Sequence, residues 1–182
     1  MRTITLLTIA IMVAITGGVA RAIAEPVKDG IEAPICSQGQ DELIGKRFLD
    51  VKESDPNGKA HRLSEYAGKG KWVLVDFWAS WCGPCRGEMP NVVAAYKKYH
   101  DKGFEIVGFS FDVDKDDWKN AIKTWDMPWV HLSDLKGWDS EAGQVYGIHG
   151  IPDNILINPE GNIVAGDLRG TGLEAKLSAI FN

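Results

Sequence analysis

Trp72-Val73-Leu74-Val75-Asp76-Phe77-Trp78-Ala79-Ser80-Trp81-Cys82-Gly83-Pro84-Cys85-Arg86 is the stretch on which the reading of this chain turns. From Trp72 to Trp78 it is aromatic and β-branched almost throughout, the pattern of a strand covered on both faces. The residues after it start a helix. Pro84 is tolerated in a first helical turn, because the N–H it lacks would have had no partner there. Cys85, Met89, Val92, Val93 and Tyr96 then recur at helical spacing. Pro90 lies inside that helix and is expected to bend it, since it removes a hydrogen bond.

Two cysteines with two residues between them at a helix start can close a small disulfide ring. Free backbone N–H groups and the positive end of the helix dipole stabilise a thiolate there. The thiolate is the form that attacks disulfides, and Cys-x-x-Cys sites bring its pKa from about 8.5 toward roughly 7. Cys82, taken to lie at the exposed helix tip, is the expected attacker. Cys85, one turn inside, is expected to resolve the mixed disulfide. Half of a zinc site and a structural disulfide are the plainer readings. Zinc wants four ligands, usually in two pairs. Cys36, His61, His100, His131 and His149 supply no second pair, so no metal is expected.

Working outward, Phe48-Leu49-Asp50-Val51 reads as a short strand, Asp55-Pro56-Asn57-Gly58 as a turn, and Ala60 to Leu63 as the returning strand. Gly103 ends the central helix and Phe104 to Phe111 gives a second strand. Trp118, Ala121, Ile122 and Trp125 share one helical face. Trp129 to Leu132 is a further short strand, and Ser140 caps a small helix running to Tyr146. Ile155-Leu156-Ile157 and Ile163-Val164 flank the turn Asn158-Pro159-Glu160-Gly161, and Leu173, Leu177, Ile180 and Phe181 mark a closing helix. This order predicts an α/β fold, a central mixed β-sheet flanked by helices.

The segment Val75 to Arg86 resembles the active-site segment of the thioredoxin superfamily. Glu88-Met89-Pro90, the N-terminal hairpin and the inserted αβ unit around 115–132 resemble secreted members of the TlpA/ResA type and their peroxiredoxin-like cousins (the AhpC/TSA-Redoxin group). The resemblance covers roughly 45–182 and implies a thioredoxin-like fold over that range. It also implies roles. Asp76, a carboxylate in the middle of an apolar strand, matches the buried acid that serves the inner cysteine as proton acceptor and donor; burial would raise its pKa, which suits that work near neutral pH. The plain structural alternative is an acid that caps a neighbouring backbone group. Ile151-Pro152 matches the cis-proline loop that faces the cysteines and leaves a strand-like edge for an extended peptide. Trp81, Gly83, Pro84, Ile151 and Pro152 are thus the expected substrate surface, with Trp81 partly exposed and Trp78 in the core. Trp138 reads as core or interface packing. Asp153 departs from thioredoxin, which has a small hydroxyl residue there; a carboxylate near Cys82 would oppose its thiolate and repel acidic substrates, and the plain alternative is a solvent-facing side chain with no effect.

The chain has 182 residues, 45% of them apolar, enough for one domain with a real core. Its first residues have the layout of a secretory signal: Arg2, an apolar run from Ile4 to Ile15, then Ala20-Arg21-Ala22-Ile23-Ala24. The reading is a signal peptide over 1–24 cut after Ala24 (after Ala22 as second choice), an extended lead segment over 25–44, and the domain over 45–182. The apolar run is short for a membrane span, so an uncleaved anchor is the lesser reading. The mature chain would be periplasmic or secreted. Losing Arg2 and Arg21 takes the formal charge from -5 to -7, which argues against a nucleic-acid partner. Cys36 is left over, an unpaired thiol or an intermolecular partner.

The function expected is a thiol-disulfide oxidoreductase of exported proteins, a protein-disulfide reductase with no cofactor, its Cys82–Cys85 pair fed by a membrane thiol electron donor. Two alternatives stand beside it. One is a peroxiredoxin-like peroxide reductase, although the residues before Cys82 are not the Pro-x-x-x-Thr-x-x-Cys setting of a peroxidatic cysteine. The other is a metallochaperone holding Cu(I) between the two sulfurs.

Overall fold

The computed structural model describes residues 42–182. The expected signal peptide over 1–24, most of the expected lead segment and Cys36 lie outside that range. β1 (Lys52–Ser54) and β2 (Ala60–Arg62) form an antiparallel hairpin. β3 (Trp72–Trp78), α1 (Gly83–Tyr99), β4 (Phe104–Ser110), α2 (Lys115–Thr124) and β5 (Val130–Leu132) continue the chain as two parallel crossover units. α3 (Glu141–Tyr146), β6 (Asp153–Ile157), β7 (Ile163–Gly166) and α4 (Gly170–Phe181) complete it. The main sheet runs β5-β4-β3-β6-β7, with β6 antiparallel to β3 and β7 antiparallel to β6. It is the mixed, helix-flanked sheet expected.

β3 is the middle strand, and six of its seven residues are buried. Its alternation divides the core. Phe77 meets the ring of Tyr146 from α3, whereas Trp78, on the opposite face, meets Trp125 beyond α2. α4 lies against α1, where Tyr99 stacks on Phe181 and Lys98 pairs with Glu174 at 2.6 Å. α1 runs on through Pro90 to Tyr99, with Lys97 and Lys98 in its last turn complementing the dipole.

The N-terminal elements differ from expectation in two ways. The first hairpin strand is Lys52–Ser54, directly before the turn, not Phe48 to Val51. The Asp55 carboxylate holds that turn by accepting the N–H groups of Asn57 and Lys59, so pairing begins beside it. Phe48 instead donates its N–H to Gly161 across the molecule, and Leu63 opens a 3-10 turn rather than ending β2. The packed domain also starts earlier than 45: Leu43 is buried in the core and Gly45 donates to the Ile163 carbonyl. The apolar pair Leu43-Ile44, between Glu42 and Gly45, is too short to carry a periodicity that would reveal this. The hairpin is tied to the main sheet by reciprocal Ser54–Ser133 backbone bonds.

Candidate active site

β3 ends at Trp78 and α1 begins at Gly83, so the turn between them projects Cys82 at the carboxyl end of the central strand. Cys82 is the N-cap of α1, and its sulfur accepts the Cys85 N–H at 3.1 Å. Cys82 and Cys85 are joined as a disulfide, with Cα atoms 5.3 Å apart. Opening the bridge leaves the Cys82 sulfur on a helix N-terminus with an N–H already aimed at it, an arrangement that favours the thiolate. The exposure expected of Cys82 is corrected here: it is 4% exposed and Cys85 1%. Both cysteines are thus buried in the bridged form. Pro84 occupies the first turn, and both it and Gly83 are exposed. A Cβ on Gly83 would meet nothing within 4 Å, so the glycine keeps the outer surface of the turn bare rather than relieving a clash.

Asp76 lies on β3 beneath this turn. It is 3% exposed, and its Oδ2 has no hydrogen-bond partner. Burial pushes its carboxyl up to about 7, with the charges of Glu88 and Asp153 adding to the rise. It is not the capping acid of the plain reading, since that oxygen receives no backbone N–H. Glu88 is itself held by Gly170 N–H at 2.7 Å and Asn91 Nδ2 at 3.0 Å, which fixes α1 to the start of α4. Asp153 opens β6 opposite Phe77, half-buried, and accepts the Asn154 N–H at 2.8 Å. Its charge therefore bears on Asp76, a coupling beyond the expected effects on the Cys82 thiolate and on acidic substrates.

The register sets Asp76 in a row across the sheet, with Asn154 on one side and Gly108, then His131, on the other. Gly108 is a steric requirement: a Cβ there would stand 2.8 Å from His131 Nδ1 and 2.9 Å from Trp78 Nε1. Burial holds the His131 imidazole down to about 3, so it is neutral.

The Ile151–Pro152 peptide is cis. Pro152 directly precedes β6, so it stands at the same end of the sheet as Cys82. Arg169 Nη2 donates to the Pro152 carbonyl at 2.6 Å and also pairs with Asp167, bracing the loop from behind. Trp78 is fully buried, whereas Trp81 is 53% exposed beside Cys82.

Two participants escaped the sequence reading. Asp112, just after β4, is buried and accepts both the Ser80 N–H and the Ser80 hydroxyl, together with the Ser110 hydroxyl. It pins the turn that carries Trp81 and Cys82. The only signal was an acid one residue past a strand end. Trp138, read as core or interface packing, is 50% exposed, with its ring centroid 6.1 Å from that of Trp81.

Known proteins agree with this geometry. Residues 44–165 match the AhpC/TSA family model. A thiol-disulfide oxidoreductase ResA from Bacillus thuringiensis subsp. konkukian is 34% identical over 121 residues, covering 66% of this chain and 67% of its own length. The thioredoxin domain of a thiol-disulfide oxidoreductase from Bacteroides vulgatus superposes with a TM-score of 0.70 at 37% identity, over 76% of this chain and 98% of that one. A putative thiol:disulfide interchange protein DsbE from Chlorobium tepidum gives 0.67 at 28% identity, over 76% and 98%. The disulfide on a helix tip, the buried acid beneath it and these likenesses have one explanation: the chain belongs to the AhpC/TSA family, and within the thioredoxin superfamily it is ResA-like.

Proposed function

We propose that this thiol-disulfide oxidoreductase works as a protein-disulfide reductase on exported proteins. The Cys82 thiolate attacks one sulfur of a target disulfide, forming a Cys82–target bond and releasing the other target sulfur as a thiolate. The Cys85 thiolate then attacks Cys82, closing the internal bridge and freeing the second target thiol. Two electrons pass to the target, and its two sulfurs take up protons. Asp76 receives the Cys85 proton during the second attack and returns it when the bridge is reopened. Trp81, Gly83, Pro84, Ile151 and Pro152 form the surface on which the target lies. The single observation that carries this reading is the Cys82–Cys85 bridge at the start of α1 above a buried acid.

Residues 1–24 would serve as the export signal, so that the mature domain works in a periplasmic or extracellular compartment where target disulfides persist. A dithiol there must be regenerated, and a membrane thiol donor is the class of partner that can do it. Among the described residues no helix is long and apolar enough to cross a membrane. The Gly83-Pro84 pair between the cysteines resembles reducing members, which favours the reductive direction.

Cys85→Ser is the direct test. Incubated with a disulfide-bonded protein, it should accumulate a mixed disulfide through Cys82, visible on non-reducing gels, whereas Cys82→Ser should form none. Trapping by neither variant, from folded protein, overturns the reading. The potential of the pair gives the direction: a value near that of thioredoxin, about -270 mV, supports reduction, and one near about -120 mV overturns it. Consumption of peroxide, or stoichiometric copper after anaerobic purification, would favour the two alternatives.

A further inference from the structure

Trp81 and Trp138 are both half-exposed, at 53% and 50%, and their ring centroids are 6.1 Å apart. An indole is large and mostly apolar, and a pair left in water beside a reactive sulfur is a ready contact surface. Trp138 is not a loose side chain. Phe111 meets its ring edge-on at 5.2 Å, and the segment that carries it is pinned at several points. The Ser133 hydroxyl donates to the Ser110 carbonyl at 2.9 Å and accepts the Leu135 N–H at 3.0 Å. The Asp134 carboxylate accepts the N–H groups of Lys136 and Glu141, each at 3.1 Å. Leu135 is held at φ +58°, a conformation that side chains larger than glycine rarely adopt.

Behind Trp138 is a recess of about 190 Å³ lined by Gly143, Gln144, Gly147, Ile148 and His149. It lies between α3 and the start of the loop that leads to Pro152. Gly143 makes it possible, because a Cβ there would press to 2.8 Å on the Phe111 ring that supports Trp138. The volume is below the roughly 300–1,000 Å³ of cofactor and small-molecule sites, and suits a single large side chain. On the other flank of the same loop lies a larger recess carrying Asp153, Asp167 and Arg169. The two flanks thus offer different chemistry to a polypeptide laid across the loop.

We propose that Trp138, with Trp81 and this recess, forms a specificity subsite for a bulky apolar side chain, Phe or Leu in kind, adjacent to the target's cysteine. The occupant is set by continuity with the sulfur site: Trp81 directly precedes Cys82 in the chain, and Trp138 extends its exposed apolar surface away from the sulfur. The proposal rests on the reductase reading above, and its test separates the two.

Two short peptides, one with Phe and one with Ser on both sides of a single cysteine, are prepared as mixed disulfides with thionitrobenzoate. Release of the coloured thiol by excess reduced protein, whose Cys82 and Cys85 supply the two electrons and end as the disulfide, gives a second-order rate constant for each. Wild type should favour the Phe peptide about tenfold, which corresponds to about 1.4 kcal/mol. Trp138→Ala should bring the ratio close to one, and Trp138→Phe should keep most of it. Gln144→Trp, which fills the recess from α3 without altering Trp138, should also abolish the preference, and serves if the alanine variant does not fold. Equal rates for the two peptides in wild type, or an undiminished preference in folded Trp138→Ala or Gln144→Trp, overturn the subsite while leaving the redox chemistry standing. Failure of the reduced wild type to release thionitrobenzoate from either peptide overturns both.

Discussion

Asp76 and Glu53 are two carboxylic acids sealed in one protein, each 3% exposed and each with one oxygen that has no hydrogen-bond partner. Desolvation dominates both, raising Asp76 to about 7 and Glu53 to about 8. Their surroundings separate them. Asp76 lies under the turn that holds the sulfurs, among Glu88, Asp153 and the start of α1. Glu53 projects from β1 to the Ala142 N–H at 3.1 Å, beside Asp134, Glu141 and Lys136, and so joins the hairpin to α3. Burial alone therefore does not mark a proton carrier. What would distinguish Asp76, in the proposed cycle, is the exchange of a proton with Cys85.

Replacing Asp76 with Asn is the strongest way to break that contrast. Turnover at pH 7 should fall by roughly 10²-fold, as for loss of a general acid–base group. The fall should lie mainly in release of the mixed disulfide, read by single-turnover quenching. Stability should move the opposite way. The folded state holds this proton up to about 7 whereas the unfolded chain releases it near 3.8, so wild type loses stability as pH rises between those values. Asp76→Asn should be the more stable protein at pH 8 by a few kcal/mol, with the difference gone by about pH 4. A variant of unchanged turnover and unchanged pH dependence would reduce Asp76 to the same standing as Glu53.

Asp112 sharpens the comparison from the other side, as a buried carboxylate whose hydrogen bonds are made rather than missing. Asp112→Ala leaves the Ser80 N–H and two hydroxyls without their acceptor. Since hydrogen bonds to charged groups contribute about 1.5–3 kcal/mol each, a loss of roughly 3 kcal/mol in chemical unfolding is expected. The freed turn should also shift the pH dependence of Cys82 alkylation, because the sulfur's place on the α1 N-terminus depends on it. An alkylation profile superimposable on wild type would make Asp112 a stabilising residue only.

These cases also show where sequence reading succeeds. The strand, turn and helix around Cys82 were legible because each is set by local pattern: a continuous apolar run, a proline that suits a first turn, apolar residues at helical spacing. Asp76 stood out because a charge interrupted that run. Asp112 could not, since its partner Ser80 is 32 residues away and only the β3–β4 register brings them together. Core and interface packing could not be told apart for Trp138 for a related reason: its ring partners Phe111 and Trp81 are distant in the chain. The displaced hairpin strand and the early start at Leu43 have the same origin, being settled by contacts with Gly161, Ser133 and Ile163. Cys82's burial is seen in the bridged form, and the bridge is something that spacing permits but does not impose.

Glu53 gives the smallest effect and the cleanest control. In its neutral form the side chain already resembles glutamine, and Glu53→Gln preserves the acceptor for Ala142 N–H while placing an amide where the unpartnered oxygen stands. The unfolded acid releases its proton near 4.5 and the folded one near 8, so this residue too makes wild type less stable as pH rises through that interval. Glu53→Gln should remove about one proton's slope, about 1.4 kcal/mol per pH unit, from the stability profile between roughly pH 5 and 8. Turnover at pH 7 should stay within about twofold of wild type, because wild-type Glu53 is already mostly protonated there and no sulfur exchanges a proton with it. Equal stability slopes with unequal kinetics would show that the two acids differ by position alone. A large kinetic loss in Glu53→Gln would instead mean that α3, and through it the loop at Pro152, transmits the hairpin's protonation to the site.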